Sequence, residues 1–149
     1  MDMLNEDFAE FARLLEEAEV QYLIVGGYSV ALHGFPRYTG DIDFFVALNP
    51  ENASKLVKVF EQFGFGELGL TEEDFAQPNY VIEIGREPRK IQVLTGIDGV
   101  QFERAWEKRV EEKTNGMNLK FICKEDLLTN KRASGRPKDK IDLLELEGD

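Results

Sequence analysis

The sequence predicts a mixed α/β (α+β) domain in which one β-sheet is covered by helices. Three observations carry that expectation. Apolar residues recur at helical spacing in residues 5–19, where Phe8, Phe11, Leu14, Leu15 and Ala18 form one stripe with acidic residues opposite. Short apolar runs closed by glycine, such as Tyr22-Leu23-Ile24-Val25 before Gly26-Gly27, have the length and composition of strands. Helical and strand segments interleave along the chain, and a sheet with helices packed against it buries both.

The remaining elements follow in order. Residues 28–33 form a short helix, and residues 34–40 form a loop by their Gly and Pro content. Residues 41–46 are a second strand. Asn49 caps a helix that carries Pro50 at its first position and stops near Phe63, before Gly64. Thr71-Glu72-Glu73-Asp74 resembles a capping box ahead of a short helical turn, with Asp where Glu or Gln is usual. Residues 80–84 and 90–94 are the arms of a hairpin around Glu87-Pro88. Residues 101–110 form a helix with Phe102, Ala105 and Trp106 turned inward, and Trp106 is a core residue. Asn115-Gly116 is a hairpin turn between strands 110–113 and 117–122. Helices 124–133 and 138–146 close the chain, separated at Gly135-Arg136-Pro137. No repeat or linker interrupts the pattern, so residues 1–149 read as a single domain.

Composition narrows the function classes. With 42% hydrophobic residues in 149, the chain can bury a core without disulfides or structural metals. No apolar run is long enough to cross a bilayer, and the acidic N-terminus is the opposite of a signal peptide's basic start. The single cysteine, Cys123, allows no internal disulfide and reads as a small buried hydrophobe rather than a nucleophile. These features predict a cytoplasmic protein with no membrane partner. A net charge of −11 repels a long polyanion unless positive charge is concentrated somewhere. It is concentrated in residues 131–140, where five bases and one acid give +5 − 1 = +4. That segment is either a solvated helix end or a phosphate-facing patch.

The chemistry centres on Asp41 and Asp43. Side chains alternate along a strand, so Ile42, Phe44 and Val46 point into a core and the two carboxylates point the other way together. Two like charges on one face of an apolar strand are unfavourable unless a cation neutralises them. An oxygen-only pair of this kind suits Mg²⁺, or Mn²⁺, which takes one or two carboxylates plus substrate phosphates. The alternative is that both acids cap the preceding loop and face water. Gly26-Gly27 ends a strand where backbone N–H groups can meet a phosphate, and Ser29 adds a hydroxyl one turn on. Thirteen residues separate Gly27 from Asp41. Arg37, in the loop before the acids, either reaches a phosphate or pairs with one of them. His33 reads as a polar or core residue rather than a catalyst.

Gly26-Gly27 followed at that spacing by Asp41-Ile42-Asp43 resembles the signature of the polymerase-beta-like nucleotidyltransferase superfamily. The stretch from Tyr22 to Asp43, and Asn130-Lys131-Arg132-Ala133-Ser134-Gly135-Arg136-Pro137-Lys138-Asp139-Lys140-Ile141-Asp142-Leu143, are similar to small bacterial and archaeal members that include abortive-infection (type IV) toxin nucleotidyltransferases. The resemblance implies the minimal nucleotidyltransferase fold, a mixed sheet flanked by helices. It implies that Asp41 and Asp43 ligate metal, and that Gly26, Gly27, Ser29 and Lys131 hold the triphosphate of an NTP substrate. Arg136 would face the same cleft, and Asp139 would orient Lys131 or another base rather than bind metal. The acceptor would be a hydroxyl on a small molecule, a protein or an RNA end. A partner protein from a two-gene toxin–antitoxin module is also implied.

The pattern breaks at one position. The superfamily places a third carboxylate on a later strand between hydrophobic residues, and the matching residue here is Gln92. A carboxamide can offer a carbonyl oxygen to a metal but is no base. If the hairpin turns at Glu87-Pro88, Glu83 lies opposite Gln92 on the same face and could supply the missing carboxylate. A solvent-facing Glu83 is the other reading, and a one-residue slip removes the idea. Two functions therefore stay open: a metal-dependent nucleotidyltransferase, or a degenerate relative that binds nucleotide or a partner without turnover.

Overall fold

The structure, a computed structural model, describes residues 3–36 and 39–148. Helix α1 (Glu6–Glu17) begins where predicted, with the Asn5 side chain accepting a hydrogen bond from the Phe8 amide at 2.9 Å. It ends two residues earlier than expected, because Glu19 adopts a left-handed φ of 58°. Strand β1 (Tyr22–Val25) leads directly into helix α2 (Gly26–Leu32), which starts two residues before the predicted Tyr28. Strand β2 (Ile42–Val46) is followed by α3 (Pro50–Phe60), whose Asn49 cap accepts from the Asn52 amide at 2.8 Å. Beyond Phe60 the chain widens into a π-type turn through Phe65 and breaks at Gly64, with φ 99°.

Strands β3 (Val81–Arg86) and β4 (Arg89–Leu94) form the predicted hairpin, with Glu83 paired to Gln92. Helix α4 (Phe102–Glu107) is shorter than the sequence suggested. Trp106 is half-buried rather than core: its ring stacks on Phe102 at 5.7 Å, and the Arg109 guanidinium covers it at 4.0 Å. Strands β5 (Val110–Thr114) and β6 (Met117–Phe121) turn at Asn115-Gly116, both at positive φ. Helices α5 (Lys124–Ser134) and α6 (Pro137–Glu147) complete the chain. Cys123 is half-buried and caps α5, its Sγ accepting from the Asp126 amide at 3.5 Å, which corrects its expected role as a buried hydrophobe.

The six strands form one mixed sheet in the order β3-β4-β2-β1-β6-β5. The β1–β6 and β2–β4 pairs are parallel and the others antiparallel. On one face, Tyr22, Ile24, Ile42, Phe44, Val46, Ile91 and Val93 pack with Phe8, Phe11, Leu15, Leu56 and Phe60 from α1 and α3. On the other face, Leu23, Val25 and Phe45 pack with Phe102, Ala105, Leu127 and Leu146 from α4, α5 and α6. Along β2 the same alternation that buries Phe45 on this second face also places Asp43 there, where the apolar cover gives way to a cleft. Among the described residues, no helix is long and apolar enough to cross a membrane.

Asn52 ties α3 to the sheet ends. Its side chain accepts from the Gln21 amide at 2.8 Å and donates to the carbonyls of Gln21 and Ala47 at 3.1 and 3.0 Å. Asn52 is only 2% exposed, and Asn52→Ala removes the partners of the Gln21 amide and the Ala47 carbonyl while the Gln21 carbonyl keeps the Ala47 amide, so it should cost about 2–4 kcal/mol in urea unfolding. A loss below about 0.5 kcal/mol would show that water replaces the amide freely.

Candidate functional site

A cleft of about 800 Å³ opens on the second face of the sheet. Its near wall is built by Gly26 and Gly27 at the β1–α2 junction and by Thr39, Gly40, Asp41 and Asp43 at the entry to β2. Gln92 on β4 continues the floor. Its far wall is Asp98, Asn130, Lys131, Ser134, Arg136 and Lys138, from the segment before α4 and the α5–α6 corner.

The glycines serve a closer contact than the one expected of them. A Cβ on Gly26 would lie 2.1 Å from Asp43 Oδ2, and the residue also has φ 69°. A Cβ on Gly27 would lie 2.6 Å from Thr39 Oγ1. A side chain at either position would displace the carboxylate of Asp43 or the Thr39 side chain, and at Gly26 it would also be strained by the positive φ. Ser29 is fully buried and donates to the Gly26 carbonyl at 2.7 Å, so it braces the junction from behind and does not line the cleft.

The two acids have different surroundings. Asp41 Oδ1 accepts from the Lys90 amide at 3.0 Å, which ties it to β4. Asp43 Oδ1 is buried and has no hydrogen-bond partner among the described residues. Burial, and then the neighbouring charge of Asp41, push the Asp43 carboxyl up to about 6, against the pull of Lys138, Lys131 and Arg136. A buried orphan carboxylate oxygen, beside a second carboxylate and across from three cations, fits a divalent cation shared with an anionic ligand. Among the described residues, no three or more His, Cys, Asp or Glu side chains cluster as a metal site.

On the far wall Lys131 is 2% exposed and held between Asp139 Oδ1 at 3.1 Å and Asp142 Oδ2 at 3.0 Å. Asp139 also accepts from the Ser134 hydroxyl and from Arg136 Nε at 2.8 Å. Burial alone would raise the Asp139 carboxyl, yet the hydrogen bonds from Arg136, Ser134 and Lys131 outweigh it and hold the group well below the usual carboxylate range. The charge of Lys131 is thus already matched inside the protein. The freer cations are Arg136, with a side chain 58% exposed, and Lys138, which makes no ion pair or hydrogen bond among the described residues.

Gln92 lies in register with Asp43 on one side and Glu83 on the other. Its Nε2 donates to Glu83 Oε2 at 2.5 Å. Glu83 is one strand further out, with a 46% exposed side chain 3.8 Å from Lys90 Nζ, and does not line the cleft. The structure thus sets Glu83 behind Gln92 rather than beside the aspartates. Arg37 lies outside the described residues.

The sequence reading did not single out Lys138 or Asp142. Asp139 and Asp142 are three residues apart on α6, the spacing at which two side chains share a helix face and can grip one lysine. With Asp139 turned inward, its neighbour Lys138 projects elsewhere, and that is the signal for a cation on the cleft side.

This geometry is that of a nucleotidyltransferase-type domain: a Gly-Gly junction against an Asp-x-Asp strand, faced by a basic helix corner. The chain belongs to the family described as "Nucleotidyltransferase of unknown function (DUF6036)", which it matches over residues 2–147. Among curated proteins none matches it by sequence. A candidate nucleotidyltransferase of Thermotoga maritima (TM1012) superposes with TM-score 0.60 at 16% identity, over 99% of this chain and 96% of that one. The lincosamide antibiotic adenylyltransferase LnuA, solved with lincomycin, superposes with TM-score 0.57 at 17% identity, over 99% and 98%. An antigenic nucleotidyltransferase-like protein of Paracoccidioides brasiliensis gives 0.55 at 18% identity, over 96% and 77%. At such identities these structures share the fold.

The Asp43 shift has a consequence for stability. A carboxyl raised from 3.8 to about 6 in the folded chain carries no penalty below pH 4. The penalty grows between pH 4 and 6 and is complete above, reaching roughly 2–3 kcal/mol. Asp43→Asn should therefore raise the melting temperature of the metal-free protein at pH 8 and leave it nearly unchanged at pH 4. A lower melting temperature for the variant at pH 8 would contradict the account of the orphan oxygen.

Proposed function

We propose that the protein is a metal-dependent nucleotidyltransferase that moves a nucleotidyl group from an NTP to a hydroxyl acceptor. The observation that carries this reading is the unpartnered, buried Asp43 Oδ1, set beside Asp41 and opposite Arg136 and Lys138. Asp41 and Asp43 would hold Mg²⁺ or Mn²⁺, which supplies charge neutralisation at the reacting phosphate and lowers the pKa of an acceptor hydroxyl. The backbone at Gly26-Gly27 lines the space beside the acids. Arg136 and Lys138 meet the phosphates, and Lys131 supports them by fixing Asp139 and with it the Arg136 guanidinium. The net charge of −11 favours a small molecule, a protein hydroxyl or an RNA end over a long nucleic acid. A partner from a toxin–antitoxin pair rests on the sequence resemblance alone, and gene neighbourhood is its test.

A second reading has its own observation. Gln92 occupies the third position, and a neutral amide there cannot take a proton from the acceptor. That favours a domain which binds nucleotide and turns over slowly or not at all. Labelled NTPs offered with Mg²⁺ or Mn²⁺ against candidate acceptors separate the two, since only the enzyme releases pyrophosphate.

Both readings require nucleotide to bind at the aspartates. NTP with Mg²⁺ should raise the melting temperature of the wild type, and not that of the Asp41→Ala, Asp43→Ala double variant. Lys138→Ala should weaken NTP binding by about 1–3 kcal/mol, the range for a charge-assisted phosphate contact. Equal stabilisation of wild type and double variant would remove the proposal.

A further inference from the structure

Gln92 is the residue at which the site departs from a three-acid pattern, and its side chain is not free to turn. It sits between two carboxylate-bearing positions, with Asp43 in register on β2 and Glu83 in register on β3. The amide contacts Glu83 directly, at 2.5 Å. An ionised carboxylate only accepts hydrogen bonds, so the group it contacts must be the –NH₂ and not the carbonyl. This chemistry fixes the amide's orientation. With Nε2 on Glu83, the carbonyl Oε1 is the end left for the cleft, which Gln92 lines together with Asp41 and Asp43.

The other neighbours keep the arrangement in place. Lys90 Nζ lies 3.8 Å from Glu83 and 3.0 Å from Glu87, which ties the Glu83 side chain to β4. The Lys90 amide in turn donates to Asp41 Oδ1. The same stretch of β4 therefore orients Asp41 through its backbone and offers an oxygen beside Asp43 through Gln92.

We infer that Glu83 is a positioning residue: it turns the Gln92 carbonyl oxygen toward the Asp41–Asp43 pair, so that the cleft presents a third, neutral oxygen to a bound divalent cation. This rests on the proposed metal-dependent reading of the site and adds a residue that touches neither metal nor nucleotide. The principle is that of groups behind metal ligands, which fix ligand orientation and alter metal affinity without contact. A neutral third donor leaves the donor set at −2 rather than −3, so the cation must draw the rest of its neutralisation from the NTP phosphates. Metal and nucleotide then bind as a pair.

Mn²⁺ binding to the full chain, read by electron paramagnetic resonance with a non-hydrolysable ATP analogue present, tests this without turnover. Glu83→Ala and Gln92→Ala should each weaken Mn²⁺ binding about 3–10-fold, and the double variant should be no weaker than either single one. Glu83→Gln, which keeps an acceptor for Nε2 but removes the charge, should retain at least half of the wild-type affinity. In wild type, one Gln92 side-chain amide proton should resonate downfield, and the shift should be lost in Glu83→Ala. Additive losses, or Glu83→Gln as weak as Glu83→Ala, would overturn the inference and assign Glu83 a long-range charge effect. Wild-type affinity in Glu83→Ala would overturn it too, while leaving the metal site intact. Mn²⁺ binding that is the same in wild type and the Asp41→Ala, Asp43→Ala variant would remove the site itself, and the inference with it.

Discussion

The carboxylate of Asp43 is pressed against the backbone of Gly26 more closely than any side chain at that position would permit. Much of the site follows from this contact. It favours glycine at position 26, where φ is 69°, and a separate close approach sets the Thr39 side chain against Gly27. The other oxygen of the same carboxylate, Oδ1, is buried with no donor among the described residues. A domain of this size has only several kcal/mol of net stability, so an uncompensated buried charge is a large burden on the empty protein. Such strain is retained where a ligand relieves it, and the surrounding residues are those that would bring one.

The opposite wall is organised by a second buried electrostatic unit. Lys131, Asp139 and Asp142 are each almost fully shielded, and Asp139 gathers Lys131, Ser134 and Arg136 around one carboxylate. A buried set of this kind adds little to stability against an apolar equivalent, but losing one member leaves a bare charge. Its value here is geometric. It locks the α5–α6 corner, whose exposed Arg136 and Lys138 line the same cleft as the aspartates. Lys131 is then a keystone of the wall, and the more exposed side chains facing the cleft are those of Arg136 and Lys138.

Much of this was legible in the sequence, for identifiable reasons. The two-residue period of a strand placed Ile42, Phe44 and Val46 on one face of the sheet and Asp43 on the other, although Phe45 makes that second face core as well. A two-residue turn at Glu87-Pro88 sufficed to pair Glu83 with Gln92. What escaped depended on contacts between segments distant in sequence. The partners of Lys131 lie eight and eleven residues on, across a helix break, so local charge could not reveal its burial. Ser29 looked like a phosphate ligand because a hydroxyl's target is invisible until the backbone is placed, and here that target is the Gly26 carbonyl. Trp106 looked like core because size is a poor guide where a cation, Arg109, can cover the ring instead.

The account stands on a cation meeting the orphan oxygen of Asp43 in the presence of nucleotide. The most direct measurement is anomalous diffraction from crystals grown with Mn²⁺ and a non-hydrolysable NTP. The account predicts a peak between Asp41 and Asp43, about 2.0–2.3 Å from Asp43 Oδ1, with the triphosphate running toward Arg136 and Lys138. Nucleotide bound elsewhere, or bound in the cleft with no metal at Asp43, would contradict it.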